Sequence, residues 1–142
     1  MVLLLGPGQG GDSPMFAHLL DAVRVPRRGP GRPRTRPTRV LADKAYSSRA
    51  NRDLLRARGI TAVIAQPSDQ AAHRKRRGRA GGRPPAFDVD AYKGRNVVER
   101  SFNAIKQWRG LATRYDCDDL TYRGGVVLAA IVTWLRALRD TP

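Results

Sequence analysis

Residues 39–64 read RVLADKAYSSRANRDLLRARGITAVI, and the alternation within them decides the fold class. Arg39-Val40-Leu41-Ala42-Asp43 is a short apolar run ending on a carboxylate, and Ile60-Thr61-Ala62-Val63-Ile64 is a second, closed by Pro67. Between them Ser47 and Ser48 can cap a helix through Leu54 and Leu55 that stops at Gly59, a residue suited to helix ends. Strands alternating with a helix of about ten residues indicate an α/β sheet.

Working outward, Met1-Val2-Leu3-Leu4-Leu5 is an apolar run halted by Gly6-Pro7-Gly8, which predicts another buried strand. Asp12-Ser13-Pro14 signals a helix start, with Asp12 as the cap, and Met15, Phe16, Leu19, Leu20 and Val23 continue at helical spacing. Residues 24–38 form a basic loop: seven Arg lie between Arg24 and Arg39, with no acid among them. A second basic segment, 66–88, carries Arg74, Lys75, Arg76, Arg77, Arg79 and Arg83 among Gly and Pro breakers and reads as a flexible loop. One helix is expected from about Val89 to Trp108, and an apolar C-terminal helix over 119–140 that docks on the core. No internal repeat is visible, so residues 1–142 read as a single domain with a modest core.

Charge narrows the class of partner. Twenty-seven Lys and Arg oppose 12 Asp and Glu, for a net charge of +15 and a pI near 11.5. Arg supplies 23 of those cations, and its planar fork suits phosphate better than the point charge of Lys. Nucleic acid is the expected partner, although GC-rich coding also inflates Arg, Ala, Gly and Pro. The single Cys117, with only His18 and His73, excludes a disulfide framework and a zinc site. There is no secretory signal, and the apolar run from Val126 to Leu135 is too short to span a bilayer. A cytoplasmic, nucleoid-associated protein is expected.

The chemistry concentrates in Tyr92, Arg95, Glu99 and Lys106. At about 100° per residue these four share a helical stripe roughly 60° wide. Val97, Val98, Ser101, Ile105 and Trp108 fill a neighbouring arc, with Phe102 beside the stripe. One acid flanked by two cations at the rim of an apolar face suits a carboxylate facing a phosphate-bearing ligand. Asp43 is the second acid of interest. A strand-terminal Asp often does no more than cap the next helix, yet active sites of open α/β sheets lie at the carboxyl ends of strands. Two carboxylates meeting there would form a hard-oxygen site of the kind Mg²⁺ prefers. Paired metal ions held by such acids clamp the oxygens of an in-line phosphoryl displacement.

The spacing Tyr92-x₂-Arg95-x₃-Glu99-x₆-Lys106 resembles the Y-(2)-R-(3)-E-(6)-K signature of bacterial insertion-sequence transposases with a DDE site. Leu41-Ala42-Asp43-Lys44-Ala45-Tyr46-Ser47-Ser48 resembles the segment bearing their second acid. Gly8-Gln9-Gly10-Gly11-Asp12-Ser13-Pro14, Asn96-Val97-Val98-Glu99-Arg100 and Lys106-Gln107-Trp108-Arg109 are similar to the insertion-sequence-five/four group. The likeness covers essentially the whole chain. It implies a partial RNase H-like fold and DNA transposition by metal-dependent strand cleavage and strand transfer. Three acids would bind Mg²⁺ (or Mn²⁺), with Asp43 second and Glu99 third. Tyr92, Arg95, Lys106 and Arg109, and the basic run Arg74, Lys75, Arg76 and Arg77, become the expected DNA contacts.

The same resemblance places the first catalytic Asp on a strand upstream of Gly8-Gln9, where this sequence has none. The expectation is therefore a catalytic domain lacking its first two strands, completed by an upstream transposase segment or a full-length transposase, and acting as a homo-oligomer on DNA. The alternative is a non-catalytic DNA-binding fragment that interferes at transposon DNA. An RNA-binding protein of the ribosomal type would leave the stripe at 92–106 unexplained.

Overall fold

The computed structural model describes residues 2–6, 10–113, 115 and 118–139. Met1, the Gly8-Gln9 pair, Cys117 and Asp140 lie outside the described residues. Two units emerge: a sheet unit of Gly8–Gly94 with Val2, and a helical unit of Leu3–Pro7 and Arg95–Pro142 with Met1.

The sheet unit contains α1 (Phe16–Asp21), β1 (Arg39–Ala42), α2 (Arg49–Ala57), β2 (Thr61–Ile64), α3 (Ser68–Arg76) and α4 (Val89–Lys93). β1 and β2 pair in parallel, with Arg39 opposite Thr61 and Ala42 opposite Ile64. The helix between them supplies the crossover that parallel pairing requires. α2 starts where its sequence says it should: Ser48 Oγ accepts the Asn51 amide at 3.2 Å, and Gly59 follows the last turn at φ +64°. Phe16, Leu20, Leu55, Ile60 and Ile64 form the core, with Val40, Ala42, Tyr46, Leu54 and Ala62 packed round it. Leu55 is fully buried and Ile64 is 1% exposed, so α2 is fastened to the sheet by its apolar side.

Two expectations fail in this unit. Asp12 does not cap: its backbone is α-helical (φ −74°, ψ −18°) rather than extended, and its side chain makes no cap bond. Within the basic segment 66–88, where a loop was expected, residues 68–76 form α3, followed by a 3₁₀ turn at Gly78–Gly81. Asp69 in the first turn and four basic residues in the last turn complement the helix dipole, which outweighs the poor composition.

The helical unit contains α5 (Asn96–Lys106), α6 (Arg109–Thr113) and α7 (Asp119–Arg139). Leu111, Val126 and Ala129 are its buried centre, with Leu3, Ile105 and Tyr122 packed against them. Tyr122 Oη donates to the Leu111 carbonyl at 3.2 Å. Gly125 is what permits this approach, since a Cβ there would sit 2.8 Å from Leu111 Cδ2. Of the run Met1–Leu5 expected as a strand, the described residues 2–5 have no strand structure; Leu3 packs on the helical core instead.

The helix expected over 89–108 is interrupted. α4 ends at Lys93, Gly94 and Arg95 make turns with i→i−3 bonds, and α5 begins at Asn96. Trp108 lies beyond the end of α5. The apolar arc also misses its expected place, because Val97, Val98, Phe102 and Trp108 are exposed and only Ile105 joins the core. α7 likewise exposes Leu120, Leu128, Ile131, Trp134, Leu135 and Leu138. Among the described residues, no helix is long and apolar enough to cross a membrane.

Candidate functional site

Asp43 follows the last residue of β1 directly, at the carboxyl end of a parallel strand. Its Oδ1 accepts the Ala45 amide at 2.9 Å and caps the 3₁₀ turn Lys44–Tyr46. The capping reading is therefore correct for one oxygen. Among the described residues, Oδ2 has no hydrogen bond or ion pair. The turn carries Tyr46, whose ring packs tilted against Phe16 with centroids 5.4 Å apart. Burial raises the Tyr46 phenol above the usual tyrosine range, and the charges of Asp12 and then Asp43 push it further the same way. Both carboxylates thus act on this corner of the sheet unit.

Glu99 lies in the first turn of α5 and is ion-paired with Arg95, Nη2 to Oε1 at 2.6 Å. Arg95 is the less exposed partner, 26% against 53% for the Glu99 side chain. An acid in the first turn is favoured by the helix dipole, whereas a cation at the N-cap opposes it. Arg95 is thus poorly placed for helix stability and well placed to hold the carboxylate. Exposed pairs four residues apart contribute only about 0.3–0.5 kcal/mol. Lys106 lies two turns beyond Glu99 at the last residue of α5, and Arg109 begins α6; both are exposed. Tyr92 belongs to α4 in the sheet unit, its ring 5.0 Å from that of Phe87.

The four-residue stripe is thus divided: Arg95, Glu99 and Lys106 stay together on α5, and Tyr92 falls in the other unit. Asp43 and Glu99 also belong to different units. As hard oxygen donors they suit a divalent ion. Among the described residues, however, no group of three or more Asp, Glu, His or Cys side chains could hold a metal. The donor type fits; the donor number does not.

The basic run of α3 has company that its sequence does not advertise. Arg74, Arg76 and Arg77 line a cavity of about 900 Å³ together with Arg49, Arg52 and Arg56 of α2. Lys75 is not among the lining residues. The signal was available: 49, 52 and 56 recur at the three- and four-residue spacing of one helical face. Arg52 is fixed in the wall by donating from Nη2 to the Ile64 carbonyl at 3.1 Å, and burial lowers its pKa.

A family profile described as the transposase DDE domain matches residues 1–134. A Brucella ovis protein named as a transposase for insertion sequence element IS6501 is 31% identical over 130 residues, spanning 92% of this chain and 84% of that protein. No solved structure matches. These likenesses favour the transposase reading over that of a non-catalytic DNA-binding fragment, and the family generally uses a divalent metal and acts on DNA. With a mixed α/β architecture, a small parallel sheet and a family match over nearly its whole length, the chain belongs to the transposase DDE-domain family.

Proposed function

We propose that this chain supplies two of the acidic metal ligands, Asp43 and Glu99, of a site that cleaves and joins DNA strands at insertion-sequence ends. The observation that carries the reading is the position of Asp43. It stands at the carboxyl end of a parallel strand, with one oxygen committed to a turn and the other left for a cation. Arg95 would hold Glu99 in its working rotamer and, with Lys106 and Arg109, present positive charge to phosphate. Tyr92 would stack on a sugar or base. Mg²⁺, or Mn²⁺, would polarise phosphoryl oxygens when bound. The remaining ligand would come from outside the described cluster, through an upstream transposase segment or a second copy on DNA.

Several features support incompleteness of the site in a lone chain. The sheet has only two strands, with open edges among the described residues. α5 and α7 expose Val97, Val98, Phe102, Leu128, Ile131 and Trp134, large apolar side chains that a completing segment would cover. We take the fold to be a partial RNase H-like domain and its site of action to be the bacterial cytoplasm.

The test is Mn²⁺ binding to the pure protein, read by calorimetry, for wild type, Asp43→Ala and Glu99→Ala. Each substitution should weaken binding at least about tenfold if the two acids share a cation. Binding that is unchanged in both variants would sink the proposal. Strand transfer by the chain alone should be slight, and restored by the completing segment.

A further inference from the structure

We infer that the cavity between α2, α3 and the Gly78–Gly81 turn is a binding basin for the phosphodiester backbone of DNA, independent of any metal. The inference rests on DNA being the partner, but not on the acids converging.

Seven of the residues lining the cavity are Arg, against two Asp. One of the two, Asp53, is already committed to Arg56 at 2.6 Å and to Arg49 at 3.6 Å. Among the described residues, the side chains of Arg74, Arg76, Arg77 and Arg83 have no ion pair or hydrogen bond. So much uncompensated like charge in one concavity raises the local potential and calls for a polyanion. Arg74 adds a sharper sign: its Nε is buried without an acceptor, a rare condition for a guanidinium. Arginine donors in fork geometry match phosphate oxygens two at a time.

The wall is built, not incidental. Gly81 packs so tightly on the Arg74 carbonyl that a Cβ would collide with it. Gly82, at φ +70°, then turns the chain so that Arg83 joins the lining. Ser47 and Gln70 tie the two sides together, Oγ to Oε1 at 3.2 Å. The volume is at the upper end of small-ligand pockets, but no Val, Leu, Ile, Met, Phe, Tyr or Trp side chain lines it, whereas such pockets are walled mainly by them. A charged polymer backbone fits better than a compact metabolite.

The experiment is anisotropy of a labelled DNA duplex titrated with the full chain in EDTA, across a range of KCl. Arg77→Gln/Arg83→Gln should lower the slope of log K against log salt by about 2, since each phosphate contact contributes about 0.9. Arg27→Gln/Arg28→Gln, an equal charge change in the other basic segment, should leave the slope within about 0.5. Arg77→Lys should keep the slope and still weaken binding, because the charge remains while the fork is lost. This variant also carries the test if the double substitution fails to fold. The slope change from Arg77→Gln/Arg83→Gln should be the same in an Asp43→Ala background as in wild type, which separates a failure of the metal site from a failure of the basin. Equal effects of the two Arg→Gln pairs would reveal diffuse charge and overturn the inference. So would an unchanged slope for Arg77→Gln/Arg83→Gln, or a dependence on the basin seen with RNA and not with DNA.

Discussion

The sheet unit and the helical unit solve the same problem to different degrees. In the first, a helix and two strands enclose Leu55 and Ile64 almost completely. In the second, Leu111, Val126 and Ala129 are buried while Trp134, at 67% exposure, and Phe102, at 57%, face outward. The sheet unit contains its own partner surfaces, and the helical unit has more apolar surface than its three helices can cover. Side-chain periodicity makes a helix amphipathic, but only a neighbour makes its apolar face a core.

The largest way to break that contrast is Leu55→Ala. It should cost about 2–5 kcal/mol in denaturant unfolding, and Leu111→Ala a smaller amount, because its surroundings can collapse more freely. Equal losses would show the helical core to be as well packed as the other. A finer probe uses adjacent glycines in α7. Gly124 has open space about it, so Gly124→Ala should stabilise by roughly 0.5–1 kcal/mol. Gly125→Ala should lose that gain and more, since Leu111 must move aside. Thermal unfolding of the pair would settle the order.

Titration sharpens the comparison from the side of the sheet unit. The folded-state pKa of Tyr46 is raised, so the unfolded chain releases this proton first as pH climbs. Stability should hold below the ordinary tyrosine pKa of about 10 and decline above it, a limb that Tyr46→Phe removes. In the helical unit, Asp118 is lowered by the Thr121 hydroxyl and then by its amide. The cap it forms on α7 should weaken as pH falls through the carboxylate range, seen as loss of helical circular dichroism. The smallest stability effect belongs to Phe102→Gln and Trp134→Gln, within about 0.5 kcal/mol. Both should nevertheless reduce binding of an apolar dye; unchanged dye binding would mean that these faces are not the open ones.

Much of the sheet unit was legible because its signals are local. Ser48, the Leu54-Leu55 pair and Gly59 each dictate one feature of α2, and the flanking apolar runs need only each other to become β1 and β2. Residues 2–5 show the limit. An apolar run becomes a strand only beside another edge, and composition cannot supply one. Gly94 falls inside the helix expected over 89–108, yet α4 ends at Lys93 there, while Gly124 and Gly125 leave α7 unbroken, so a glycine in the sequence does not by itself mark a helix end. At the site, the spacing puts Arg95 and Glu99 on one stripe, but that the two are ion-paired is visible only in the structure. Arg49, Arg52 and Arg56 were passed over because each looks like an ordinary solvated residue until α3 folds opposite them.

Position 81 has an evolutionary corollary. Every change at its codon that yields another amino acid brings a side-chain carbon into collision with the Arg74 carbonyl, while loss of any one of the seven lining arginines leaves the other six in place. In copies of this gene drifting free of selection, the arginine chamber should therefore be lost through its hydrogen-only residue sooner than through erosion of its charge.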